Sequence, residues 1–116
     1  MTGVYQPDRG DFVWVDFTPN AGTEQGGRRP ALVLSPQKYN IATGLMIAVP
    51  ITNQVKGSPW EVPLPRGAGV TGAVLANQVK SLDWIARRAE FQSKSNDDIM
   101  CEVLGRIEAI LALDCS

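Results

Sequence analysis

The chain has 116 residues, 44% of them apolar and 20% charged, with a formal net charge of −1. That length suits a single domain over 1–116 with one modest core, and no run approaches the ~20 apolar residues of a membrane-spanning helix. The sequence has no histidine, which excludes Ser-His-Asp and Cys-His catalysis and any histidine-ligated metal site.

Residues 10–17 (GDFVWVDF), rich in Val, Phe and Trp, read as a first strand. Residues 19–27 (PNAGTEQGG) form a polar, glycine-rich loop, and 30–35 (PALVLS) is an apolar run of the length of a buried strand. Residues 36–44 read as a connector with one helical turn. Residues 45–52 (LMIAVPIT) are a third strand. Pro50 cannot donate to a ladder, so this strand is expected to be an edge or irregular there. A second polar loop, 53–59 (NQVKGSP), leads to a half-exposed strand at 60–64 and a Pro/Gly turn region at 65–72. A further strand runs over 73–79, and 80–87 continues or bends it.

Ser95 and Asp98 have the spacing of a capping box, with Asp in place of Glu or Gln. Asp97 and Asp98 suit the positive end of a helix. Beyond them Met100, Leu104, Ile107 and Leu111 recur at three- and four-residue spacing, flanked by Ile99, Val103 and Ile110, which predicts an amphipathic helix. The expected fold is mainly β with a C-terminal α-helix: five or six short antiparallel strands in a small barrel or strongly curled sheet. The helix packs on its own sheet or on a second subunit.

A sequence pI near 5.3 taken alone argues against a nucleic-acid partner. The distribution of charge weakens that argument. From Asn96 onward five acids stand against Arg106 alone, which leaves the rest of the chain with ten bases against seven acids. Local field rather than total charge steers a polyanion. Cys101 and Cys115 would lie ~21 Å apart on one helix, too far for a disulfide, so two free thiols are expected. The first residues carry neither a basic start nor an apolar stretch, so no signal peptide is expected and the default location is the cytoplasm.

The chemistry available is that of Arg, Lys, Asp, Glu and hydroxyls. Asp8, Asp11 and Asp16 are too irregularly spaced to predict a hard-cation site, and no metal or cofactor is expected. One reaction suits this inventory. In RNA the 2′-hydroxyl lies beside the scissile phosphorus, so the substrate supplies its own nucleophile, already positioned. The protein must then orient that group, stabilise charge on the phosphoryl oxygens and assist the leaving 5′-oxygen. A planar arginine gripping two phosphate oxygens does the second task. Arg29, where the glycine-rich loop meets a buried strand, is the candidate, with Thr52 at the end of the third strand.

The segments GDFVWVDF, GTEQGGRRPALVLSP, Tyr39-Asn40, VPITNQVKG and LANQVKSLDW, in this order and spacing, resemble the MazF/PemK family of toxin endoribonucleases. The resemblance runs from about Pro7 to the C-terminal helix. It implies an SH3-like toxin fold of the MazF/CcdB type and a homodimer. It also implies cleavage of single-stranded RNA, often mRNA, to 2′,3′-cyclic phosphate and 5′-hydroxyl ends. A MazE-like antitoxin would bind and inhibit the protein, and operator DNA would be reached only through that antitoxin. By resemblance Arg29 and Thr52 act on the scissile phosphate and Glu24 is a third catalytic residue. Lys56, Asn77 and Gln78 fall at RNA-contacting positions. Phe17 and Asn20 lie where base contacts are expected, and Arg28 joins the basic groove, with Lys80 or Arg87 as further candidates. Trp14 and Trp84 fit the surface an antitoxin covers, and equally fit core packing. Many relatives carry Asp-Gln where this chain has Asn77-Gln78, and Asn77 cannot move a proton as an aspartate does. Two other readings are a gyrase-binding toxin of the CcdB type, which the Leu-Asp-Cys-Ser ending opposes, and a catalytically weak corepressor.

Overall fold

The apolar runs become the middle of one antiparallel sheet. The computed structural model describes residues 4–17 and 27–112. Its elements are β1 (Asp11–Asp16), β2 (Arg28–Val33), α1 (Gln37–Thr43), β3 (Leu45–Thr52), β4 (Glu61–Pro63), β5 (Ala73–Leu75), β6 (Lys80–Asp83), β7 (Glu90–Lys94) and α2 (Asp97–Leu111). The strands lie in the order β4-β5-β3-β2-β1-β7, and β6 also pairs with β3. Among the described residues the end strands β4 and β7 do not pair with each other. The sheet is therefore curled and open, not a closed barrel.

The seven strands exceed the expected five or six for two reasons. The predicted strand over 73–79 ends at Leu75, and a turn separates it from β6. β7 was not expected at all: its side chains are mostly exposed, so no apolar pattern marks it.

Pro50 explains how β3 carries two neighbours on one flank. Leu34 N–H donates to Ile47 O in β3. Backbone groups alternate in direction along a strand, so Ile47 and Val49 point toward β2, and Ala48 and Pro50 toward β5 and β6. On that flank β6 is paired up to Ala48 and β5 begins at Ile51. The missing N–H of Pro50 falls in the gap between them. β3 is thus a central strand, irregular at Pro50; the edge placement is overturned.

The first three strands are buried on both faces, which is why they read as continuous apolar runs. On one face Phe12, Leu32, Val49 and Ile51 pack with Ile99, Met100 and Val103 of α2. On the other, Val13, Val15, Ala31, Val33, Met46 and Ala48 pack with Leu82 and Trp84. Burying each large side chain of this kind stabilises the fold by roughly 1.5–3 kcal/mol. The α2 N-cap is Asn96, whose side-chain oxygen accepts from Ile99 N–H at 2.8 Å. Ser95 bonds to Asn96 O instead, which corrects the predicted capping box by one residue. The helix buries Ile99, Met100 and Val103 and half-buries Ile107, while Leu104, Ile110 and Leu111 are exposed. Cys101 is a free, exposed thiol, and Cys115 lies outside the described residues. Among the described residues no helix is long and apolar enough to cross a membrane.

Candidate functional site

The site begins where β2 and β3 stop pairing. Their ladder runs Val33↔Ala48, Leu32↔Val49 and Ala31↔Pro50. The same register would next place Pro30 opposite Ile51 and Arg29 opposite Thr52. Leu34 points its N–H toward β3, so position 30 does too, and Pro30 has no N–H to give. The ladder ends there, and the two strand ends open into a cavity of about 570 Å³ lined by Arg29, Pro30, Ile51 and Thr52. Asn53, Gln54 and the segment Gly69, Val70, Thr71 close its other side, and Trp14 and Arg28 complete it.

Arg29 is not at the loop boundary but inside β2, paired with Val15, and its side chain is exposed. The guanidinium therefore rises from a hydrogen-bonded strand. Thr52 is half-buried, and its Oγ1 accepts from Gln54 N–H at 3.0 Å. That bond fixes the oxygen and leaves the hydroxyl proton for a ligand. Gly72 supports Thr52 from behind. A Cβ on Gly72, at φ +113°, would lie 2.1 Å from Thr52 O, so only glycine lets the strand end sit there.

Arg28 lines the same cavity, and its charge is partnered within the fold. It donates to Asp16 Oδ1 and to Glu90 Oε1, both at 2.9 Å, and to Arg88 O. Arg88 also pairs with Asp16, at 2.8 Å, and Arg88 and then Arg28 hold the Asp16 carboxyl below its ordinary value. Asp16 is thus an ion-pair partner of two arginines. Arg28 stands as a brace between β1 and β7.

The other expected residues divide. Asn20 and Glu24 lie outside the described residues. Phe17 is half-buried against the core and its carbonyl accepts from Arg87 at 2.6 Å, so it packs where base contact was expected. Arg87 is accordingly a strand tie, and Lys80 is exposed on β6; neither lines the cavity. Asn77 and Gln78 are exposed in the turn after β5, not in a strand, and do not line it either. Trp84 is buried, 6% exposed, and its indole donates to Asn40 O at 2.9 Å. It is a core residue, unable to offer its face to an antitoxin. Asn40 is fully buried and ties Pro7 and Ser35 to α1, which gives the Tyr39-Asn40 motif a structural purpose.

Lys56 is exposed on the loop beyond Thr52, outside the cavity lining. Its backbone is held by Glu61, a residue the sequence reading passed over. The buried Glu61 carboxylate accepts from the N–H groups of Lys56, Gly57 and Ser58. These bonds, Lys56 first, hold its carboxyl below its ordinary value. Arg106 of α2 pins the same loop by donating to Pro59 O. Only the adjacency of Lys-Gly-Ser to a strand-start glutamate hinted at this.

Residues 8–111 match the family described as PemK-like, MazF-like toxin of type II toxin-antitoxin system. The chain is 54% identical over 89 residues to the endoribonuclease toxin MazF of Escherichia coli (strain K12), covering 77% of this chain and 79% of that protein. It is 41% identical over 109 residues to the endoribonuclease toxin ChpB of the same organism, covering 90% and 93%. The crystal structure of MazE-MazF (Form-III) from Deinococcus radiodurans superposes with a TM-score of 0.87 at 52% identity, covering 95% of this chain and 100% of that one.

Proposed function

We infer the chemistry from one premise: the chain belongs to the PemK-like, MazF-like toxin family of type II toxin–antitoxin systems and is an endoribonuclease. Its substrate is single-stranded RNA, cut at a short recognition sequence. The 2′-oxygen attacks the adjacent phosphorus and loses its proton. The bond from phosphorus to the 5′-oxygen breaks, and that oxygen takes up a proton. The products are a 2′,3′-cyclic phosphate and a 5′-hydroxyl, with no external nucleophile.

The observation that carries this reading is the placement of Arg29 and Thr52 as opposite positions at the mouth of one cavity. Arg29 supplies a planar cation for the phosphoryl oxygens as charge builds on them. Its high pKa makes it a clamp before it is a proton carrier. Thr52 adds a hydroxyl donor. The proposed reaction is metal-independent, its charge stabilisation coming from Arg29 and its hydroxyl donor from Thr52. Glu24, four residues before β2 in the sequence and outside the described residues, is the third catalytic residue of the proposal.

The partners follow from the family. The protein works as a homodimer in the cytoplasm, and a MazE-like antitoxin silences it; the Deinococcus neighbour is itself a MazE-MazF structure. The test is cleavage of a long RNA in EDTA, with cuts mapped by primer extension. Site-specific cuts that vanish when a single 2′-deoxy nucleotide stands 5′ of the scissile phosphate are expected. Absence of cutting, or cutting that survives the 2′-deoxy substitution, overturns the reading.

A further inference from the structure

Trp14 is the one aromatic side chain among the described residues that line the cavity, and the phosphate chemistry does not use it. It lies in β1 opposite Pro30 and Glu90 and is half-buried. Its indole N–H is already donated to Gln92 Oε1 at 2.8 Å. Gln92 in turn donates its amide to Gly69 O at 3.3 Å, and Gly69 is itself on the cavity wall.

Gln92 reaches the indole because of an irregularity in the ladder. Phe12 faces Ser93 and Val13 faces Phe91, which leaves Gln92 as the extra residue of a β-bulge. A bulge re-aims the side chain it carries. The loop bearing Gly69 is pressed close to the same strand: a Cβ on Gly69, at φ +94°, would lie 2.4 Å from Ser93 Oγ. Strand β1, strand β7 and the 65–72 loop thus lock one indole in place beside Arg29 and Thr52.

A nucleotide brings a phosphate and a base. With its single donor already taken, Trp14 has only a π surface to offer. Stacking on such a surface is largely indifferent to which base is present. On the ribonuclease reading above, we propose that Trp14 is the stacking platform for a base next to the scissile phosphate and that Gln92 is its positioning residue. Trp14 supplies affinity, and the choice of sequence lies with other groups.

The test uses a short RNA with one mapped cut. Trp14→Ala is expected to raise KM by roughly ten- to a hundred-fold, with a smaller change in kcat and the same cut site. Trp14→Phe keeps most of the affinity. Gln92→Ala raises KM by a smaller factor without lowering Tm. An abasic nucleotide at the stacked position weakens the wild-type protein and costs Trp14→Ala nothing further. The binding arm uses the same RNA with a 2′-deoxy nucleotide at the cut: it quenches tryptophan fluorescence in the wild type, and the quench disappears in Trp14→Phe. A folded Trp14→Ala with unchanged KM, a shifted cut site, or no abasic effect at any flanking position overturns the proposal. So does unchanged KM with weakened inhibition by the co-encoded antitoxin, which would assign Trp14 to the protein partner. Should Trp14→Ala fail to fold, Trp14→Phe and the abasic series decide. Quenching without cleavage by the wild type would sink the reaction and spare the platform.

Discussion

Arg29 and Thr52 line one cavity between the ends of β2 and β3, each two positions beyond the last paired rung at Ala31 and Pro50. Position 30 would carry the next N–H toward β3, and Pro30 has none. The cavity therefore opens where one donor is missing from a ladder, and Arg29 and Thr52 are the first positions past that omission.

Arg29→Ala should lower kcat by roughly 10²–10³-fold, as expected when one group stabilising developing charge is removed, with Tm nearly unchanged because the side chain is exposed. Arg28→Ala should cost cleavage roughly ten-fold or less, since its charge is already shared with Asp16 and Glu90. Single-turnover rates on one oligonucleotide measure both. Equal losses would remove the distinction between clamp and brace.

Gly72→Ala should damage both stability and activity. The positive φ strains any Cβ-bearing residue by about 1–3 kcal/mol, and the new carbon collides with Thr52 O. Denaturant unfolding should show the lost stability, and kcat should fall through displacement of Thr52. Normal kcat in a folded Gly72→Ala protein would show that the position of Thr52 is unimportant.

Asn96→Ala should destabilise the fold by about 1 kcal/mol, the usual worth of an N-cap, and leave cleavage intact. Ser95→Ala should do almost nothing, because the Ser95 hydroxyl donates to Asn96 O and caps no helix N–H. Thermal melts of the two variants separate the cap from its neighbour.

Glu61 contributes to the acid limb of stability, beside Asp16. Its folded pKa is depressed, so its contribution is present above the ordinary carboxylate value of about 4.3 and is lost as pH falls through the lower folded value. Glu61→Gln should flatten the loss of stability on acidification and raise KM by loosening the loop that presents Lys56. Unfolding free energies between about pH 3 and 6 test the first statement, and steady-state kinetics the second. An unchanged acid limb would show that the three N–H bonds do not tune the carboxyl.

The three central strands and the helix were legible because their residues are buried in simple patterns. β3 matches its predicted span, Leu45–Thr52, since Met46, Ala48, Val49 and Ile51 meet core on both faces. β7 was illegible because Glu90–Lys94 is exposed and held by backbone pairing to β1. In the site, Arg29 and Thr52 could be named from motifs, and their meeting follows from register. The commitment of Arg28 was hidden: its partners Asp16 and Glu90 lie 12 and 62 residues away in sequence, and only the β1–β2 and β1–β7 pairings bring them near. Trp84 fits surface and core equally in the sequence, and its indole donating to Asn40 O inside the core decides between them.

The division of β3 at Pro50 has a mechanical consequence. In the ladders of the described residues Thr52 pairs with β5 and Arg29 with β1. The two halves of the cavity thus belong to separate arms of the sheet that join at Ala31–Pro50. Any molecule gripped by both residues acts as a splint across that joint. Amide exchange at the far ends of both arms should slow together when such a ligand binds, even in strands the ligand never touches.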